Sequence, residues 1–329
     1  MAYIYRKVVG NKEYYYLRAS SRQGSRIIAK DVAYLGSSLD EVRASLSKLP
    51  QRQVRDAYKT IHSFLERNTF LERVQKLKIR SNPFIPVSLL EQVEACKLHW
   101  QSTFKEHDPK TQEQYVRNFV IELAYNTTSI EGNTITLKEA QKLLTENRTP
   151  KDRTVREVLD VQNTEKVFLE LTTQQPDITH QTIIDMHAAL LANIDPRVGY
   201  RTADVHVVRS RFDATPAPYI RTDMDLLFKW LRKEKEHPLV VASIFHHKFE
   251  KIHPFFDGNG RVGRLLLNAL LLKNGYPPLI IRKRNRNDYL DALRKADDAD
   301  LTTATPKSYK QLIEFLAQEY VDGYWNNFL

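Results

Sequence analysis

Along the first 35 residues, apolar and polar positions change over with a short period. Tyr3-Ile4-Tyr5, Tyr14-Tyr15-Tyr16-Leu17 and the stretch from Ile27-Ile28 through Tyr34-Leu35 are aromatic or β-branched runs, which suit a pleated, half-buried surface. Gly10-Asn11 and Ser20-Ser21-Arg22-Gln23-Gly24 separate them, so the pattern predicts a three-stranded meander. From residue 39 onward the apolar period lengthens to that of a helix. Helices are expected over 39–48 and about 51–79, broken at Leu49-Pro50, with Val54, Tyr58, Ile61, Leu65, Phe70, Val74 and Leu77 near helical spacing. Asn82-Pro83-Phe84-Ile85-Pro86 resists helix and reads as a linker.

Beyond it the pattern is almost wholly helical. Segments are expected from about Ser88 to Lys105, from Thr111 toward Gly132, after the capping box Thr136-Leu137-Lys138-Glu139, and from Arg153 to Leu171. Further helices follow Pro176-Asp177-Ile178-Thr179, begin near Asp223 and Leu239, cover Leu265 to Leu272, and close the chain over 286–299 and 306–321. Gly199 to Arg221 is irregular, with short extended pieces expected at Val205–Val208 and Pro216–Ile220. The fold class is therefore mainly α, with a β-meander at 1–38, a helical region and linker at 39–85, and a helical domain at 86–329.

Charge divides the chain. Residues 1–100 carry 18 Lys+Arg against 9 Asp+Glu, whereas the remainder carries 32 against 31, so nearly all of the net +10 lies at the N-terminal end. This asymmetry admits nucleic acid or an acidic protein surface as a partner of the first region, and equally a basic face that meets only solvent. Tyrosines interleaved with Arg6, Lys7, Arg18, Arg22, Arg26 and Lys30 have the composition of a stacking and phosphate-contact surface. More often such tyrosines simply cover a small sheet. The single Cys96 excludes an internal disulfide framework and points to a reducing, cytoplasmic setting. The start has charges at Arg6 and Lys7 and no apolar run of signal-peptide length. The longest apolar stretch, Leu265 to Leu272, is too short for a bilayer, so no membrane partner is expected.

The chemistry concentrates between two of the predicted helices, in His253-Pro254-Phe255-Phe256-Asp257-Gly258-Asn259-Gly260-Arg261-Val262-Gly263-Arg264. Gly258 and Gly260 permit backbone conformations closed to other residues, so that successive N–H groups can converge on an anion. The helix opening there directs its free N–H groups to the same place, and Arg261 and Arg264 project from one face. His253 stands at the edge as a candidate base. His246 and His247 are adjacent on a helix and diverge, so no metal site is expected from them, and His187 reads as a packed helix histidine.

This string resembles the signature of the Fic family, His-x-Phe-x-(Asp/Glu)-Gly-Asn-Gly-Arg-x-x-Arg, with every fixed position filled. A second segment, Thr127 to Gly132, resembles the family's inhibitory motif (Ser/Thr)-x-x-x-Glu-(Gly/Asn). It stands ahead of the active-site string, as in the class whose inhibitory helix, here about 111–132, precedes the catalytic core. The resemblance covers roughly residues 111–300 and implies a Fic-type helical bundle with a β-hairpin flap at Gly199 to Arg221, clamping a target segment by strand pairing.

It further implies protein adenylylation: transfer of AMP from ATP, with Mg²⁺, to a Ser, Thr or Tyr hydroxyl of a target protein or of the chain itself. In that reading His253 is the base and Asp257 holds Mg²⁺. Gly258, Asn259 and Gly260 cradle phosphates, Arg261 grips the β-phosphate and Arg264 the γ-phosphate. Glu131, with Thr127, can occupy Arg264 and shut the site, and in some relatives the same glutamate helps remove AMP. Of the residues that frame adenine in the family, only Tyr289 is matched, as a stacking candidate. Gly260 fits the adenylylating signature rather than the lysine-bearing one. The alternatives are a Fic-related transferase of another nucleotidyl or phosphate-containing group, and a nucleic-acid-binding regulator acting through residues 1–85. The sequence admits a homodimer without specifying one.

Overall fold

The structure, a computed structural model, describes residues 2–329 except 11, 24–25, 51–53, 56 and 207–212. They fall into two compact units, one comprising Met1–Ile79 and the other including Arg80–Val93 and Lys97–Phe328.

The first unit opens with the expected meander. Strands β1 (Ala2–Val9), β2 (Lys12–Gln23) and β3 (Arg26–Gly36) pair antiparallel in the order β1-β2-β3. Register shifts between Tyr15 and Tyr16 and between Leu17 and Arg18 add local twist. One face of the sheet contributes Ile4, Tyr15, Leu17 and Leu35 to a core completed by Val42 and Leu46 of α1 (Leu39–Leu46) and Ile61 of α2 (Tyr58–Lys76). Helix α1 starts where Ser38 caps the Glu41 N–H at 3.3 Å, while the Glu41 carboxylate takes the Ser37 N–H at 2.7 Å. The expected helix over 51–79 is seen from Tyr58 to Lys76; part of its start lies outside the described residues.

The second unit holds α3 (Val87–Ser102), α4 (Pro109–Ile130), α5 (Leu137–Glu146), α6 (Val155–Gln174), α7 (His180–Leu190), α8 (Ile220–Lys233), α9 (Pro238–Ile252), α10 (Asn259–Lys273), α11 (Arg286–Ala296) and α12 (Pro306–Asn327). Among the described residues no helix is long and apolar enough to cross a membrane. Asn82 to Ile85 form a tight bridge with Phe84 and Ile85 buried, rather than an extended solvated linker.

Helices α9 and α10 are the central pair. Both are apolar nearly all round, which is the pattern of a helix enclosed by neighbours, and buried polar residues on both are committed to partners. Asn268 of α10 receives the Leu279 N–H at 2.7 Å and donates to the Leu279 carbonyl at 3.0 Å. It thereby stitches the segment after the helix back onto it. Lys248 of α9 is fully buried, with its ammonium on the carbonyls of Asp300, Leu301 and Thr303 at 2.9, 2.6 and 2.7 Å. The loop before α12 is held in this way.

The hairpin flap expected between Gly199 and Arg221 falls partly on residues 207–212, outside those described. At Pro216–Ile220 the extended reading is corrected. Ala217–Tyr219 form a 3₁₀ turn leading into α8, since proline φ near −65° suits a tight turn as well as an extended chain. The Asp204 carboxylate accepts the Ala217 N–H at 2.7 Å and fixes that turn.

Burial draws the Lys248 ammonium down to about 8 from its ordinary 10.5. Between those values the unfolded chain holds more protons than the native one, so this group makes stability rise with pH there. Lys248→Met is expected to abolish that slope. It should also cost about 2–4 kcal/mol at neutral pH, because three carbonyls lose their donor. Urea titrations across pH 7 to 10 read both effects.

Candidate functional site

A bend between α9 and α10 brings the signature residues together, and its backbone explains how. His253 ends α9 in the left-handed region, at φ 50° and ψ 58°, a conformation that costs a non-glycine residue on the order of 1 kcal/mol. It persists because its neighbours fix it. The fully buried Arg201 side chain donates to the His253 carbonyl at 2.8 Å, to the Ala203 carbonyl at 2.9 Å and to the Thr215 carbonyl. The Arg201 N–H also reaches the Pro254 carbonyl at 2.9 Å. Asn259 closes the bend from inside, receiving the Phe255 N–H at 2.9 Å and donating to the Phe255 carbonyl at 2.8 Å. Gly258 caps α10 at φ 80°, where a side chain would be strained. His187 stacks on Phe255 with ring centroids 3.8 Å apart and donates to the Asp257 carbonyl at 3.0 Å.

Two arginine–carboxylate systems line this bend. In the first, Asp257 accepts the Gly258 N–H at 2.6 Å, is held by the Arg156 guanidinium, and lies 3.4 Å from Arg261. Burial opposes its charge, but Arg261 and Arg156 outweigh that and hold its carboxyl below the usual range. Arg261 is itself buried and held by Asp160, whose carboxyl is pushed up by burial against the pull of Arg261 and Arg156.

The second system is Arg264. Its Nε donates to the Thr127 hydroxyl at 2.7 Å, and its Nη2 donates to the Thr127 carbonyl at 3.0 Å and to Glu131 Oε1 at 2.7 Å. Burial works against this guanidinium's charge, yet Glu131 holds its pKa above the ordinary value. A second carboxyl, Glu250, lies behind it. Desolvation pushes Glu250 up to about 8, so at neutral pH it stays mostly protonated and leaves the pairing to Glu131.

His253 occupies the remaining side. Its Nδ1 faces the Glu250 carbonyl at 3.3 Å. A carbonyl only accepts, so Nδ1 carries the proton and Nε2 keeps the lone pair. Burial lowers its pKa from the ordinary value, the Glu250 carbonyl and the charges of Glu131 and Asp257 opposing this and Arg201 adding to it. The imidazole is thus neutral at neutral pH.

The fold therefore gathers His253, Asp257, Gly258, Asn259, Gly260, Arg261 and Arg264 around one helix start, and it also brings Thr127 and Glu131 to Arg264. Tyr289 is the exception. It is 1% exposed, its hydroxyl lies 2.6 Å from His246 Nε2, and its ring packs against His246 and Phe315. Helical spacing places it on a buried face, so it supports the wall behind Arg264 and offers no open face to a base.

Arg156, Asp160, Arg201 and His187 were not legible as site residues. A carboxylate at Asp160 between the apolar Val158 and Val161, four residues after Arg156, was the available signal. Among the described residues no group of three His, Cys, Asp or Glu is placed to hold a metal. Asp257 alone beside a helix N-terminus suits a hard divalent cation that takes its other ligands from phosphate and water. An apolar hollow of about 320 Å³ lined by Leu123, Leu265, Leu279 and Ile281 adjoins Thr127 and Arg264.

Among known proteins, the likeness centres on this bend and the helices around it. Residues 177–271 match the model of the Fic/DOC family. The chain is 35% identical over 189 residues to Protein adenylyltransferase Fic of Drosophila yakuba; the match covers 54% of this chain and 37% of that protein. The Drosophila melanogaster protein of the same name gives 34% over the same length. The chain spans little more than a third of these relatives. A Fic domain containing signaling protein from Bacteroides thetaiotaomicron superposes with a TM-score of 0.65 at 23% identity, covering 71% of this chain and 95% of that one. A Fic family protein from Desulfovibrio desulfuricans gives 0.61 at 25%, covering 74% and 75%.

Removing the Glu131 carboxylate leaves a buried cation with only neutral partners. Because Glu131 is itself 45% exposed, Glu131→Gly is expected to cost about 1–3 kcal/mol, below the usual figure for a fully buried pair. Inorganic pyrophosphate, which can take the vacated place, should recover part of it. Calorimetric melts with and without pyrophosphate read both.

Proposed function

We propose that this chain, which carries a Fic domain, is a protein adenylyltransferase that moves AMP from ATP to a Ser, Thr or Tyr hydroxyl of a target protein or of itself, and that Glu131 restrains it. One observation carries the reading: Arg264, at the helix start that also gathers His253 and Asp257, is held by the Glu131 carboxylate at 2.7 Å. An arginine built to receive an anion is occupied by an anion of the chain's own.

The chemistry follows from the residues. The target hydroxyl loses its proton to His253 Nε2 while its oxygen bonds to the α-phosphorus. The bond from that phosphorus to the bridging oxygen breaks, and pyrophosphate leaves. The developing negative charge meets the free N–H groups at the start of α10 and the guanidinium of Arg261, whose position Asp160 fixes. Arg264 receives the γ-phosphate once Glu131 withdraws. Mg²⁺ held by Asp257 would neutralise phosphate charge when bound, in keeping with its preference for one carboxylate plus phosphates. Arg156 must release Asp257 for that ion to enter.

With Glu131 in place the γ-phosphate cannot seat on Arg264, and the α-phosphate loses its alignment to His253. A displacement of about 1 Å there can lower the rate on the order of a hundredfold. The same carboxylate is also positioned to orient a water against an AMP-modified target, which gives the site a route to the reverse, AMP-removing reaction.

Self-labelling from ATP carrying its label on the α-phosphate tests the reading. Glu131→Gly should raise covalent label at least tenfold, and His253→Ala should reduce it to background in either setting. Equal labelling by all three proteins would end the proposal.

The pH profile follows from His253. A base must be neutral to act, and burial sets its pKa below the usual 6.5. For Glu131→Gly, kcat/KM should therefore stay level from pH 8 down past 6.5 and fall only on further acidification. A fall centred above pH 7 would exclude His253 as the base.

A further inference from the structure

The open face of the N-terminal sheet is built unlike the solvent side of an ordinary antiparallel sheet. Residues directly opposed on antiparallel strands share a face. The pairs Tyr3–Arg18, Tyr5–Tyr16, Lys7–Tyr14 and Val9–Lys12, continued by Tyr16–Tyr34 and Arg18–Asp31, therefore lie on one side. The other side carries Ile4, Tyr15, Leu17 and Leu35, which form the core. Of the six tyrosines on these strands, only Tyr15 packs into that core. Tyr3, Tyr5, Tyr14, Tyr16 and Tyr34 do not, and none of the five is buried.

Those five rings stand among cations. The Arg18 guanidinium lies 3.5 Å from the Tyr5 ring centroid, and the Tyr16 and Tyr34 rings are 5.3 Å apart. Lys7 and Lys12 are exposed beside them. The acid on this side, Asp31, is already held by Arg18 at 2.6 Å. The other acid of the sheet, Glu13, is engaged by Tyr15 at 2.6 Å and Arg6 at 3.0 Å on the core side. The face is thus aromatic and positive, with its acidic groups neutralised.

We propose that this face binds single-stranded nucleic acid, with bases stacked on the tyrosines and backbone phosphates against Lys7, Lys12 and Arg18. Aromatic rings on an open surface offer π-faces that any unpaired base can cover, and interleaved cations track the phosphates between them. A duplex keeps its base faces inside the stack and would leave the tyrosines unused. An acidic polypeptide would answer the charge but not the rings. The proposal is independent of the adenylylation site, since none of these residues belongs to it.

The test uses the full chain and a fluorescent oligothymidylate of about 16 nucleotides, the upper site size of known stacking grooves, followed by anisotropy across a salt series. Binding should weaken steeply with salt. Tyr16→Ser/Tyr34→Ser should weaken it by about tenfold or more at each salt concentration, as removal of base stacking does. Lys7→Gln/Lys12→Gln should flatten the salt dependence, by about 0.7 in logarithmic slope for each phosphate left without its cation. Both variants alter solvent-facing side chains, so their thermal melts should match the parent's and certify the fold. No binding at low salt, an unchanged affinity in the tyrosine variant, or equal affinity for duplex DNA or poly-glutamate would each overturn the proposal.

Discussion

A guanidinium cannot be left bare inside a protein, and Arg264 is where this constraint bears hardest. The side chain is 7% exposed, cannot lose its proton at any relevant pH, and sits on a helix whose other neighbours are aliphatic. Thr127 supplies two neutral oxygens, but only a carboxylate or phosphate balances the charge. Helix α4 must therefore end where it does, with Glu131 at its cap within reach of α10. The same requirement keeps Glu250 protonated behind the arginine, because two carboxylates around one cation would repel each other in a place with little solvent.

The bend between α9 and α10 answers a related demand. To gather an imidazole, a carboxylate and two arginines near one helix start, the chain must turn within a few residues, and His253 accepts a left-handed backbone to do so. Arg201 and Asn259 hold the strained segment by hydrogen bonds to its main chain, which a change of side chain at the intervening positions would not disturb. The site's geometry thus rests on backbone hydrogen bonds, and the other side chains of the loop remain free to answer the substrate.

Much of this was readable because it is local. His253 to Arg264 lie within one short string, so their convergence needs only a turn and a helix start, and Gly258 with Gly260 announces both. The tyrosine-rich strands likewise declared a meander. Asp160 and Arg156 reach the bend from 101 positions earlier, and Arg201 from 52; contacts of that span depend on how α6 and the segment after α7 pack, which periodicity does not encode. Tyr289 failed for the complementary reason. Its aromatic ring and its place after the signature are visible in the sequence, but the direction it faces on α11 is set by His246 and Phe315 on other helices.

At Gly260 the want of a side chain shapes what can reach the arginine. A Cβ built there would collide with Glu131 Oε1 and stand 3.0 Å from an Arg264 nitrogen. The missing methyl is thus the gap through which the glutamate enters, at the position whose N–H would also approach a phosphate. A small molecule bearing a carboxylate on a flexible stem has room to settle in the same notch, against the same arginine. Such a compound would imitate the chain's own restraint, and even an alanine at 260 would bar both alike.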